Sequence, residues 1–405
     1  MATIAVLGTL DSKGHEHAFV ADAIRRCGHT PLLIDAGCLA PPQTAPDIAR
    51  TEICPGLASL PEDRGVRVAA MAAALPEFIA RQAKQGRFQG IISLGGGGGT
   101  AIATAAMRSL PVGFPKLMVS TLASGNTAPY VGSKDIVMMP SIVDVAGLNR
   151  LSRRLFTNAA GAICGMVTAA AAQGADATES DRPLVVASMF GNTTACVNEA
   201  MRLLEEAGCE VLVFHATGTG GRTMEALIDS GMAAAVLDVT TTEWADELVG
   251  GILGAGPARL EAAGRTGTPA VVAPGCLDMV NFGEPQTVPE KFRGRTFYHH
   301  NPQVTLMRTN AAECAELGRI LAEKVNAYTG PVTVLLPLRG ISIISTAGQP
   351  FYDQEADQAL FHAIRSHLKP GIPLLELDCT INDPAFAAAA VQALLPHLSK
   401  VTTRG

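Results

Sequence analysis

Aromatic and charged residues are both scarce in this 405-residue chain, at 4% and 17%. With one tryptophan, four tyrosines and thirteen phenylalanines, it has no series of rings on which successive bases could stack, which excludes a single-strand nucleic-acid platform. The formal net charge is −6 and no block of lysine or arginine occurs, so no nucleic-acid partner is expected. Nine cysteines are scattered without a CxxC pair, an odd set that fits buried thiols in a reducing compartment rather than disulfides or a zinc knuckle. No HExxH occurs, and His15-Glu16-His17 reads as a solvated helix start. Adjacent histidines on a strand point to opposite faces. No metal is expected, apart from Mg travelling with a nucleotide. The chain runs from Met1 straight into a strand pattern, without a signal sequence. Its longest bland stretch, Ala159 to Ala172, is broken by glycines and reads as a buried helix too short to cross a bilayer. A cytoplasmic protein without a membrane partner is expected.

Hydrophobic residues are abundant at 48%, with 41 glycines, a balance that suits buried parallel strands and closely packed helices. Between Gly90 and Thr100 a short apolar run ends in five consecutive glycines, followed by an alanine-rich helical pattern. Strand, tight loop and helix start are expected there. Glycines let the backbone N–H groups come close to a ligand. The following helix adds unpaired N–H groups and a partial positive charge of roughly half a unit. Such a place binds anions, phosphate above all. The stretch is neither GxGxxG nor GxxxxGK[ST], and it is similar to the glycine-rich loops of kinases that hold ATP without a P-loop.

The pattern then repeats. Ile4–Leu7, a helix with Val20, Ile24 and Cys27 on one face, and a strand at Pro31–Ile34 make a βαβ unit. After a polar segment from Gly174 to Pro183, Leu184–Ser188, a helix with Val197, Met201 and Leu204, and Glu210–Phe214 make another. Ala234–Leu237 corresponds to Gly90–Leu94, and Val271–Ala273 to Leu117–Val119. The expected fold is α/β, with two Rossmann-like halves. Each is a mostly parallel sheet flanked by helices, and a ligand cleft is expected between them. The domains are residues 1–178, binding nucleotide, and 183–405, of similar topology with extra strands.

The candidate nucleotide-binding residues sit where strands hand over to helices: Asp11, Ser12 and Lys13; Gly95, Gly96, Gly97, Gly98, Gly99 and Thr100; Ser120, Thr121, Ser124, Gly125 and Asn126. Lysine can meet a phosphate and hydroxyls can donate to one, although Asp11, Ser12 and Thr100 serve equally as helix caps. In the second half, Asp238, Glu243, Asp278, His299, His300 and Arg339 are the candidate catalytic set, able to supply acid, base and an anion clamp. The alternative for them is a collection of caps, turn formers and ion pairs.

Several joined motifs resemble a known family. They are Gly8-Thr9-Leu10-Asp11-Ser12-Lys13, the glycine stretch with Ser109-Leu110-Pro111, and Ser120-Thr121-Leu122-Ala123-Ser124-Gly125. Phe214 to Gly221, Leu237 to Glu243, Leu277 to Gly283 and Val304 to Thr309 match as well. The family is the largely uncharacterised one that includes the ATP-binding N-terminal region of the tomato mosaic virus resistance protein. The resemblance implies a two-domain α/β protein that binds ATP, with Mg as its companion, and self-associates as a homo-oligomer, a dimer being expected. The plant protein's inhibition of a viral replication protein is not carried over. Its further barrel-like domain has no counterpart before Gly405, so that contribution is expected from a separate protein or not at all. Beside ATP binding stands a second reading, an enzyme acting on a small anionic metabolite in the cleft through the second-half acid, base and arginine residues.

Overall fold

The structure is a computed structural model that describes residues 1–175 and 182–398. The chain divides into two compact units, Met1–Ser180 and Asp181–Gly405.

In the first unit the elements are β1 (Thr3–Gly8), α1 (Leu10–Arg26), β2 (Thr30–Asp35), α2 (Arg50–Ile53), α3 (Arg64–Lys84), β3 (Gly90–Gly95), α4 (Gly97–Arg108), β4 (Lys116–Ser120), α5 (Ala128–Val131), β5 (Val137–Pro140) and α6 (Arg150–Ala175). The five strands form one parallel sheet in the order β2-β1-β3-β4-β5. Strand side chains alternate between faces, and each face carries its own core. Ile4, Val6, Ile92, Leu117 and Val119 pack with Val20 and Ile24 of α1 and Phe156 and Ile163 of α6. Ala5, Leu7, Ile91 and Met118 pack on the opposite side with Leu75 and Ile79 of α3 and Ala103 and Met107 of α4. Because α1 and α4 lie on opposite faces, the loops that leave β1 and β3 diverge. A crevice opens there, at the point where strand order reverses.

The second unit contains β6 (Leu184–Met189), α7 (Thr194–Glu206), β7 (Glu210–His215), α8 (Thr219–Asp229), β8 (Ala235–Thr240), α9 (Glu243–Val249), α10 (Ala262–Thr266), β9 (Ala270–Gly275), β10 (Met279–Phe282), β11 (Phe297–Asn301), β12 (Val304–Arg308), α11 (Ala311–Asn326), β13 (Val332–Pro337), α12 (Gln354–His367), β14 (Leu374–Leu377) and α13 (Pro384–Leu398). Its parallel sheet runs β7-β6-β8-β9-β13-β14, the first unit's order with one strand added. The two Rossmann-like halves are therefore present. A three-stranded antiparallel sheet, β10-β12-β11, is an insertion after β9. Val280 and Phe282 of β10 and Leu306 of β12 are buried.

Two expectations change. Glu16 and His17 are buried, at 4% and 0% exposure, rather than part of a solvated helix start. Glu16 accepts from the Gly147 backbone N–H and His17 Nδ1 lies 2.6 Å from the Lys13 carbonyl. The stretch Ala159–Ala172 belongs to a helix of 26 residues, and Arg150–Ala172 is long and apolar enough to cross a bilayer by length and composition. One face of α6 packs on the sheet, but Gly161, Ala162, Gly165 and Thr168 to Ala172 are exposed. Alanine and glycine carry so little apolar surface that composition does not separate the inward face from the outward one. Tyr298-His299-His300-Asn301 lies in β11 of the inserted sheet. Within the polar segment from Gly174 to Pro183, Gly174 and Ala175 end α6, and residues 176–181 lie outside the described ones.

Candidate functional site

The crevice of the first unit is built from β3 and α4. Ile91, Ile92 and Leu94 drive β3 into the core, and the glycines then let the chain turn tightly into α4. A Cβ on Gly95 would lie 3.0 Å from the Gly99 Cα, so a side chain there would have to push the first helical turn aside. Gly98 differs: a Cβ there would meet nothing within 4 Å. Gly97 and Gly98 are exposed, and the first-turn N–H groups of α4 have no intrahelical acceptors.

A cavity of about 730 Å³ opens over this turn, within the range of small-molecule sites. It is lined by Gly96 to Gly99 from β3–α4, by Thr9, Asp11, Ser12 and Lys13 from β1–α1, by Cys38 to Ala40 after β2, and by Arg64, Gly65 and Val68 of α3. The structure thus brings together seven of the sequence-predicted nucleotide residues: Asp11, Ser12, Lys13, Gly96, Gly97, Gly98 and Gly99. Asp11 shapes the wall, its Oδ2 accepting from the backbone N–H groups of Cys38 and Leu39 at 3.0 and 2.9 Å. Asp35, at the end of β2, accepts from Leu10 N and Gly37 N and pairs with Arg50 Nε at 2.7 Å. Ser12 Oγ donates to the Thr9 carbonyl at 3.2 Å. Lys13 breaks the helical conformation with φ −131°, and its Nζ donates to the Val145 carbonyl. Burial, then the neighbouring Asp11 carboxylate, push the Cys38 thiol up to about 11, so this thiol stays protonated and is no nucleophile at neutral pH.

The remaining predicted residues lie to one side. Thr100 is buried and its Oγ1 is 2.7 Å from Ser120 Oγ, a bond that fastens α4 to the end of β4. Ser120, Thr121 and Ser124 line a second cavity of about 400 Å³ with Ser141 to Asp144. Gly125 and Asn126 line neither cavity; Gly125 N donates to the Leu122 carbonyl and Asn126 Oδ1 accepts from Ala128 N. Arg64 and the segment Cys38 to Ala40 escaped the sequence reading. They reach the cavity through chain that bears no motif, although Asp63 capping Val66 N marks the start of α3.

In the second unit hydroxyl groups join the matching strand ends of β6 and β8. Thr193 Oγ1 and Thr240 Oγ1 are 2.8 Å apart, and Thr240 N donates to Ser188 Oγ at 2.9 Å. The six candidate catalytic residues do not converge. Asp238 is held bidentately by Arg259, at 2.5 and 2.7 Å. Glu243 Oε2 pairs with Arg259 Nε at 2.7 Å, while its Oε1 accepts from Gly218 N and Gly221 N. Glu225 joins through Arg259 Nη1 at 3.1 Å. Arg259 is 1% exposed, so this is a buried ion cluster with its valences used. Asp278 is fully buried and accepts from Ser342 Oγ at 2.7 Å, and burial raises its carboxyl above the usual range. His299 lines a hollow of about 260 Å³ beside Phe292 and Arg293, and His300 is exposed. Arg339 is exposed and pairs with Asp378. Among the described residues, no group of three or more His, Cys, Asp or Glu is arranged to hold a metal.

Comparison with known proteins is consistent across the chain. Residues 2–172 match the model of the uncharacterised protein family UPF0261, N-terminal domain, and residues 182–398 that of its C-terminal domain. A UPF0261 protein of Clostridium tetani is 47% identical over 404 residues, covering 98% of this chain and 99% of that protein. The ToMV resistance protein Tm-1(GCR237) of Solanum lycopersicum is 41% identical over 335 residues, covering 82% of this chain and 44% of the plant protein. A UDP-N-acetylglucosamine 2-epimerase from Rickettsia bellii aligns over 99% of this chain and 98% of that one, at 11% identity. Its TM-score of 0.22 is too low to carry an argument.

Proposed function

The chain belongs to the UPF0261 family, and from that premise we propose that it binds ATP in the cytoplasm through the cavity over the first turn of α4, with Mg as the nucleotide's companion. One observation carries this reading: the cavity stands at the reversal of strand order and is floored by exposed glycines, with Lys13 and Arg64 among its walls. The residues present fit a polyphosphate. Open space at Gly98 lets oxygens reach the first-turn N–H groups, which the helix leaves without acceptors. Lysine and arginine supply the counter-charge. The apolar wall, Leu39, Ala40, Val68 and Ile102, offers a surface for a base. Self-association as a dimer forms part of the proposal, on the family resemblance.

The metabolite-enzyme reading gains no support from the second unit, where Asp238 and Glu243 are committed to Arg259 and Arg339 to Asp378. The deciding experiment is a calorimetric titration with ATP, with and without Mg. Saturable binding near one site per chain, weakened by Lys13→Met, is expected. An absence of heat at millimolar ATP refutes the proposal.

A further inference from the structure

The second cavity of the first unit lies beside the first, at the ends of the neighbouring strands β3 and β4. On one side, Thr121 Oγ1 would lie 3.8 Å from a Cβ on Gly96, and these two residues line different cavities. On the other side, Lys13 of the first cavity donates to the carbonyl of Val145, the residue after Asp144 of the second. The segment between is pinned to α1, since Gly147 N also donates to Glu16. The glycine turn of the first cavity and the Thr121 edge of the second are therefore neighbours.

The lining of that cavity specifies its ligand. Thr121 and Ser124 are exposed hydroxyls along one side. Pro140, Ile142 and Val143 are apolar on the other. Ile142 is 72% exposed and has φ +62°, an uncommon conformation for a β-branched residue. Val143 N donates to the Ser141 carbonyl at 2.6 Å, which closes a γ-turn, and Ser141 Oγ donates to the Val143 carbonyl. The turn holds an apolar side chain at the mouth. A hydroxyl edge facing an apolar face matches a small sugar or polyol. The lining carries Asp144 and neither lysine nor arginine, so an anionic ligand would meet repulsion and a neutral one would not.

We propose that this cavity holds a neutral polyhydroxylated acceptor and that the first unit transfers a phosphoryl group to it from ATP. The inference rests on the nucleotide reading and treats ATP as a substrate. An acceptor hydroxyl oxygen forms a bond to the γ-phosphorus, and the bond from that phosphorus to the β-bridging oxygen breaks. ADP leaves with the electron pair, and the hydroxyl proton passes to the Asp144 carboxylate. The Lys13 ammonium and the first-turn N–H groups of α4 face the charge on the transferred oxygens, the stabilisation such reactions depend on.

The test measures two quantities on the full chain: ATP affinity by calorimetry, and ADP release from Mg·ATP with water alone or with millimolar glycerol, D-ribose, D-xylose or D-glucose. Expected is slow ADP release in water, stimulated by at least one of these compounds. Asp144→Asn should bind ATP as the wild type does while releasing ADP on the order of a hundredfold more slowly. Ser124→Trp, which fills the second cavity, should remove the stimulation and keep ATP affinity. A wild type that does not bind ATP removes the nucleotide reading and transfer together. Bound ATP with no ADP release under any of these conditions overturns the transfer alone. So does an Asp144→Asn variant as fast as the wild type.

Discussion

Gly98 separates folding from binding. It stands in the first turn of α4, is exposed, and a Cβ there meets nothing within 4 Å. Replacing it by alanine or leucine removes the entropic penalty of glycine in a helix, about 0.5–1 kcal/mol. For a unit of this size that corresponds to a rise in Tm of roughly 1–4 °C. Helical Cβ atoms tilt toward the N-terminus, and here that direction leads into the cavity. A leucine side chain would occupy the space over the N–H groups. Each charge-assisted hydrogen bond lost is worth about 1.5–3 kcal/mol, or roughly ten- to a hundredfold in Kd. Gly98→Leu should therefore unfold at a higher denaturant concentration than the wild type and bind ATP at least tenfold more weakly, with Gly98→Ala intermediate. Gly161→Ala on the exposed face of α6, where a Cβ also meets nothing, serves as the control and should stabilise without touching ATP affinity. If Gly98→Leu is stabilised yet binds ATP as tightly as the wild type, the nucleotide does not sit on this turn.

Arg259→Met leaves Asp238, Glu243 and Glu225 without their shared cation and should cost the second unit about 3–5 kcal/mol; a loss under about 1 kcal/mol in chemical denaturation contradicts the cluster's role. Gly8→Ala drives a Cβ to 2.1 Å from His17 Nε2 and should cost about 1–3 kcal/mol by overpacking; His17→Ala in the same chain should recover part of it, and simple additivity of the two would refute the contact. Burial pushes the Asp246 carboxyl up to about 7. Between the unfolded value near 4 and that folded value, the native protein holds a proton the unfolded chain has released. Stability therefore falls as pH rises through this window and levels off above it. Asp357, also raised to about 7 by burial, contributes with the same sign. Asp246→Asn should flatten the profile, since Asn281 Oδ1, unpartnered in the wild type, can accept from the new amide once the Asn281 side chain turns over. An unchanged slope would show that Asp246 is ionised throughout.

The local features of this protein are written in its order of residues. The glycines after Ile91, Ile92 and Leu94 mark a tight passage from strand to helix, since a Cβ built on Gly95 would come within 3.0 Å of the Gly99 Cα. Spacings such as Val197, Met201 and Leu204 mark one face of a helix before anything packs on it. The duplication showed because the same periods recur in the same sequence order, and the shared strand order, with β1 and β6 second in their sheets, is its consequence. The tertiary structure alone decided which of the polar groups remain available for a ligand. Asp238 and Glu243 look like an acid–base pair until Arg259, up to 21 residues away, closes on both. Their separation from Arg259 carries no periodic signal, since an ion pair depends on where chains meet in space. Thr100 looks like a phosphate ligand until Ser120 takes its hydroxyl. Lys13, by contrast, donates to the Val145 backbone carbonyl, and it lines the first cavity beside the glycine turn.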